Sequence, residues 1–130
     1  MSDLGLAELE ARASEVREHA HAPYSRFKVG AAVRADSGRV YVGCNVENAS
    51  FGATVCAERN AIAAAVAHGE MRIVAVAVRT EAESPAFPCG LCRQVIQEFG
   101  PDAAIVAFTS TARRETTLAE LLPEAFVFPR

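Results

Sequence analysis

The stretch Ile73-Val74-Ala75-Val76-Ala77-Val78 is apolar without a break. A strand with one wet face alternates apolar and polar residues, and this one does not. It predicts a strand from Arg72 to Thr80 covered on both faces. Such a strand needs layers above and below its sheet, and the rest of the chain can supply them. Residues 4–20 place Leu6, Leu9, Ala13, Val16 and Ala20 three and four apart, with Glu8, Arg12 and Glu15 between them. That spacing predicts an amphipathic helix, stopped by Pro23. Two β-rich runs, Lys28 to Arg34 and Val40 to Asn45, flank Asp36-Ser37-Gly38 and read as a hairpin. A loop from Val46 to Thr54 leads to a second helix, Cys56 to His68, with Gly69 as its stop. A third helix, Cys89 to Phe99, ends at Gly100-Pro101. Ala104 to Phe108 and Arg114 to Thr117 read as strands, and Leu118 to Leu122 as a last helical turn before Pro123. The order is that of an α/β chain, a mixed sheet with helices on both faces. The second helix is apolar on most sides, which predicts that it packs between the sheet and a further element such as another subunit.

The 130 residues suit one compact domain spanning 1–130. Apolar residues make up 51% and charged residues 22%, an ordinary globular balance. A formal charge of -3 and the lack of any basic run argue against a nucleic-acid partner. The longest purely apolar run, Ala61 to Ala67, is far too short to span a bilayer. Met1-Ser2-Asp3-Leu4-Gly5 shows no charged segment followed by an apolar one, so no secretion signal is expected. The expected location is the cytoplasm.

Four cysteines, Cys44, Cys56, Cys89 and Cys92, then carry more weight as metal or catalytic groups than as disulfides. Cys89 and Cys92 form a C-x-x-C unit, which alone is ambiguous between metal, redox chemistry and chance. At a helix start the two sulfurs lie on one side. Cys56 opens another helix, and if the two helices neighbour each other across a strand, three thiolates converge. Zinc takes tetrahedral sulfur and nitrogen ligands and keeps one position open for water in catalytic sites. Cys44 lies inside the second strand and reads as a small packing residue. Three thiolates around a dication leave an excess negative charge. Two helix N-termini and Arg59, as a donor to the sulfurs, can offset it. Glu58 sits too near Cys56 to chelate beside it, yet it is placed to reach a water on the metal and to move its proton.

Each of these residues also has a plainer reading. Glu58 can be a first-turn helix acid, Phe27 a core ring, Asn45 and Glu47 strand-end and loop residues, and Arg59 a solvated side chain. His19, His21 and His68 carry no motif and read as surface histidines.

Cys56-Ala57-Glu58 with a later Pro88-Cys89-Gly90-Leu91-Cys92 resembles the zinc-dependent nucleoside deaminases, whose site chemistry is a general pattern. The resemblance extends through Tyr24-Ser25-Arg26-Phe27-Lys28-Val29-Gly30-Ala31-Ala32 and Gly43-Cys44-Asn45-Val46-Glu47-Asn48-Ala49-Ser50. It continues through Cys89-Gly90-Leu91-Cys92-Arg93-Gln94 and Leu121-Leu122-Pro123-Glu124-Ala125-Phe126. These segments are similar to the small, homotetrameric cytidine deaminases. The resemblance implies a three-layer α-β-α sandwich with a mixed five-stranded sheet, forming a single catalytic domain. It implies one zinc per chain on Cys56, Cys89 and Cys92, and attack of an activated water at C4 of cytosine. Glu58 would carry the proton to N3 and then to the departing ammonia. Phe27 would pack near the nucleoside, Asn45 and Glu47 would bind the sugar hydroxyls, and the Ala57 N–H would hold the base carbonyl. Phe126 would stack on the base from a neighbouring subunit, with Phe128 as the alternative stacker, and Arg59 would support the sulfurs. Phe51 stands where relatives often carry tyrosine, which removes a hydroxyl near the sugar. Cytidine and deoxycytidine are the expected substrates, with a blasticidin-type nucleoside antibiotic as the alternative. Glu47 would disfavour a phosphate on the sugar. A closed zinc-binding interaction module would need a fourth protein ligand, and a thiol redox protein would bind no zinc and would not need Glu58.

Overall fold

The computed structural model describes residues 4–129. In chain order the elements are α1 (Leu6–Arg17), β1 (Gly30–Ala35), β2 (Val40–Cys44), α2 (Ala57–Ala67), β3 (Ile73–Arg79), α3 (Gly90–Phe99), β4 (Ala104–Phe108), β5 (Arg113–Thr117) and α4 (Leu118–Leu121). The five strands form one sheet in the order β2-β1-β3-β4-β5. β3 and β4 run parallel, as their connection through α3 requires, and the other neighbours are antiparallel.

The unbroken apolar run lies at the centre of this sheet and is covered on both faces, as its pattern requires. One face of the sheet, through Ala32, Ala75, Ala77, Val106 and Phe108, packs on Leu9 and Ala13 of α1. The other, through Ala31, Val33, Val76, Val78 and Ile105, packs on Ala57, Ala61, Ile62 and Ala65 of α2, Ile96 of α3 and Leu118 of α4. The molecule is thus an α-β-α sandwich, with α1 alone on one side and α2, α3 and α4 on the other.

Gly43 shows how closely α2 lies on the sheet. A Cβ there would stand 2.4 Å from the Ala61 nitrogen and 2.7 Å from the Ala57 carbonyl oxygen. Only glycine lets β2 and α2 approach to this distance. Both helices that carry the cysteines therefore rest on the same face of the sheet, which is the condition for their N-termini to meet.

The boundaries differ from the sequence reading in two places with clear causes. α1 ends at Arg17 rather than Ala20, because His19 and Ala20 close tighter bonds to the carbonyls of Val16 and Arg17. β1 begins at Gly30 rather than Lys28, because the Val29 N–H is taken by the Asn45 side chain at 2.9 Å instead of by a neighbouring strand. The loop after β2 also contains one 3₁₀ turn, Phe51–Ala53. α2 buries one face and leaves Ala63, Val66 and Ala67 exposed on the other. No helix among the described residues is long and apolar enough to cross a membrane.

Candidate active site

Cys56 and Cys89 are the N-cap residues of α2 and α3. N-caps usually carry an oxygen side chain that binds a free helix N–H. Here neither sulfur does so, and both point instead toward a common point between the helix ends. Cys92, one turn into α3, completes the group. The Cys56 and Cys89 sulfurs are 4.0 Å apart and those of Cys89 and Cys92 3.5 Å. All three lie within 4.8 Å of one another. A tetrahedral zinc with sulfur bonds of about 2.3 Å sets its ligands about 3.8 Å apart, so the donor set fits this ion. Cys44, half-buried at the end of β2, stands outside the group.

The surroundings favour negative charge on these sulfurs. Two helix N-termini face the group, and each contributes about half a positive charge. The Arg59 Nη2 donates to the Cys56 sulfur at 3.9 Å and to the Thr54 carbonyl at 3.2 Å. Hydrogen bonding from Cys92, helped by Arg59 and Cys89, holds the Cys56 thiol down to about 5, against burial. The same Cys56 contact, with burial, pushes the Cys92 thiol up. The site thus favours a thiolate at Cys56. The Arg59 Nε is buried and has no partner among the described residues. The half-buried guanidinium is thus held beside the sulfurs with spare donor capacity at Nε.

Glu58 occupies the first turn of α2 and is only 5% exposed. Burial raises its carboxyl to about 7, and the negative Cys56 adds to the rise, while its own backbone N–H and Arg59 oppose it. A carboxyl so placed can both accept and return a proton near neutral pH.

These groups open into a cavity of about 280 Å³. Phe27, Asn45, Glu47, Cys56, Ala57, Glu58 and Cys89 all line it. Asn45 is buried and braced at both ends, since its Oδ1 accepts from Val29 and its Nδ2 donates to the Phe27 carbonyl at 2.8 Å. One acceptor site and one N–H of the amide are left over. Glu47 accepts from the backbone N–H groups of Tyr24 and Ser25, at 2.9 and 3.1 Å, and from the Ser25 hydroxyl. The Ser25 hydroxyl above all holds Glu47 below the usual carboxylate range. It faces the cavity ionised, with acceptor capacity for a further hydroxyl.

The structure thus gathers the predicted residues with one exception. Phe126 is 65% exposed and does not line the cavity, nor does Phe128, and the Phe126 carbonyl is tied to Gln94 Nε2 at 3.1 Å. Arg59 and Cys92 sit behind the lining, against the sulfurs. The cavity also includes Ser25, Val29, Thr54, Val78, Thr80, Ala86 and Phe87, to which the sequence reading gave no role. Ser25 had a legible signal, because it sits inside the Tyr24–Ala32 segment next to Phe27. Val29 had the same signal, whereas Val78, Thr80, Ala86 and Phe87 had none, since only the folded sheet brings the end of β3 and the loop after it to the cavity.

Comparison with known proteins agrees with this geometry. The family model for the cytidine and deoxycytidylate deaminase zinc-binding region matches residues 6–108. A cytidine deaminase of Sporosarcina psychrophila is 45% identical over 95% of this chain and 92% of its own. One of Mycobacterium tuberculosis is 42% identical over 97% of this chain and 92% of its own. The crystal structure of cytidine deaminase from Burkholderia pseudomallei superimposes with a TM-score of 0.89 at 45% identity, over 97% of this chain and 100% of that one. On the family match, the identity and the shared architecture, the chain belongs to the cytidine and deoxycytidylate deaminase family.

Proposed function

We propose that the protein hydrolyses cytidine and deoxycytidine to uridine and deoxyuridine, releasing ammonia. The carrying observation is the buried Glu58 carboxyl beside three convergent sulfurs in one cavity. The cofactor is zinc, which Cys56, Cys89 and Cys92 would hold. When bound, it supplies the Lewis acidity that makes a water nucleophilic near neutral pH.

The chain's own residues then do the following. Glu58 accepts a proton from the attacking water as its oxygen bonds to C4 of the base, and delivers that proton to N3. It next takes the second proton of the same oxygen and gives it to the exocyclic nitrogen. The C4–N bond breaks, ammonia leaves, and C4 becomes a carbonyl. The Ala57 N–H holds the base carbonyl, and Phe27 packs against the nucleoside. The spare capacity of Asn45 and Glu47 takes the sugar hydroxyls. A free base without its sugar leaves Asn45 and Glu47 without these partners and is rejected strongly. The Glu47 charge repels a sugar phosphate, which favours a nucleoside over a nucleotide.

The whole chain 1–130 acts as one catalytic domain, in the cytoplasm, as a homotetramer with shared active sites. A single sheet with a core on each face supports the one-domain reading. The shared site is supported by Phe126, which stands outside its own cavity, and by the uncovered apolar face of α2.

Zinc-loaded protein incubated with cytidine should form uridine and ammonia in equal amounts. Glu58→Gln should keep its zinc and lose at least about 10²-fold in kcat. A folded, zinc-replete protein that forms no uridine would sink the assignment.

A further inference from the structure

We infer that the Phe87 ring, backed by Arg114, is the wall that decides which substituents the pyrimidine can carry beside its reacting carbon. The inference rests on the nucleoside reading above and adds to it a specificity-determining side chain and a positioning residue.

Phe87 is half-buried, lines the cavity and leans on the core beneath the sheet. It precedes Cys89 by two residues, so the two backbones are at most about 7 Å apart along the chain. This tether holds the ring near the sulfur end of the cavity, where C4 must react. C4 has two ring neighbours, N3 and C5. N3 belongs to Glu58, on α2. C5 therefore points away from Glu58, toward the lining that neither α2 nor the sugar-binding segments supply. That lining is Thr54, Val78, Thr80, Ala86, Phe87 and the Cys89 sulfur, and Phe87 is the largest of its side chains.

The ring is backed from outside the cavity. The Arg114 guanidinium on β5 lies over it at 5.2 Å from the centroid. Arg114 forms no ion pair among the described residues, although Arg113 beside it pairs with Glu10 and Glu115. β5 is an edge strand paired only with β4, and Arg114 sits opposite Ala107. An exposed arginine on the sheet edge thus presses a cavity wall into place.

The test is the ratio of kcat/KM for 5-methylcytidine to that for cytidine, measured on the zinc-loaded proteins. Phe87→Ala should raise the ratio about tenfold, the lower end of what one methyl group is worth in a fitted pocket. Arg114→Met should raise it less, about two- to fivefold, as the loss of an exposed cation–π contact implies. Arg114→Lys keeps the cation and should keep the wild-type ratio, which a merely structural loss of the strand edge would not explain. Phe87→Ala also loses core packing, but a ratio taken on one preparation does not depend on its active fraction. Phe87→Leu, which retains most of the packing, should fall between Phe87→Ala and wild type. An unchanged ratio in Phe87→Ala and Phe87→Leu, with cytidine still deaminated, overturns the inference. Failure of the wild-type protein to deaminate cytidine would instead overturn the function on which it rests.

Discussion

On the proposed function, Arg59 supports the zinc-binding sulfurs without itself holding the ion. It donates to the Cys56 sulfur and to the loop carbonyl of Thr54, so it both stabilises a thiolate and ties the approach to α2. Arg59→Met keeps much of the apolar stem and removes the donors. Zinc affinity should then fall about 10- to 100-fold, the usual cost of losing a group that supports a ligand, while the fold persists. Competition with a chromophoric chelator would measure it, and an unchanged affinity would place Arg59 outside the site's chemistry. Arg59 was legible in the sequence because it follows Glu58 directly. The sulfurs and Glu58 were legible for the same reason, since a metal site built at two helix starts leaves its ligands in two short, regular segments. Thr80, Ala86 and Phe87 were not, because a cavity wall is a property of tertiary placement and carries no spacing rule. Asn45 and Glu47 were named for their side chains, yet much of their hydrogen-bonding capacity is spent on bracing residues 24–29. Sequence reading could name the residues but not this division of labour.

At the scale of elements, the site depends on how closely α2 lies against β2. Gly43→Ala would drive a Cβ into the α2 backbone at Ala61 and Ala57, where nothing can rotate away. The expected loss is about 1–3 kcal/mol, as for other overpacked contacts. The midpoint of urea unfolding would show it, and an unshifted midpoint would mean that the helix moves freely. The far end of α2 is held differently. Glu70 accepts from the Tyr41 hydroxyl and the Ser37 hydroxyl, both at 2.8 Å, and so ties the β1–β2 hairpin to the turn after α2. These bonds, Tyr41's first, hold its carboxyl below the ordinary value of 4.5. A lowered folded pKa means that the stabilisation is complete above that ordinary value and drains away as pH falls through the lowered one. Glu70→Gln should therefore lower Tm at pH 7 and make progressively less difference below pH 4.5. A Tm difference that stays constant across that range would show that ionisation plays no part. The helices and strands themselves were legible from apolar spacing. Their ends were less so, because β1 starts where a side chain, Asn45, stops supplying a partner in place of a strand.

For the whole molecule, the position of Phe126 separates a self-sufficient chain from an assembly. The residue is exposed, absent from its own cavity and tied through its carbonyl to Gln94, midway along α3. Phe128 beyond it is 78% exposed, and Leu91 on the outer side of α3 is 68% exposed. Exposed apolar groups this large are what a closed homo-oligomer buries. If Phe126 completes a neighbour's site, its loss and the loss of Glu58 fall in different chains of one working site. Phe126→Ala alone should raise KM, because every site lacks its stacking ring. Glu58→Ala alone should be nearly inactive. Mixed in equal amounts and allowed to exchange subunits, the two should recover activity at the original KM. Random assortment pairs an intact Glu58 with an intact donated Phe126 in about one site in four. Phe128→Ala in place of Phe126→Ala should leave KM near wild type and give nothing to recover. The mixing experiment is decisive because a chain that builds its whole site alone cannot be rescued by another chain. Activity equal to the plain sum of the two variants would therefore mean that each cavity works without a neighbour, whatever the oligomeric state.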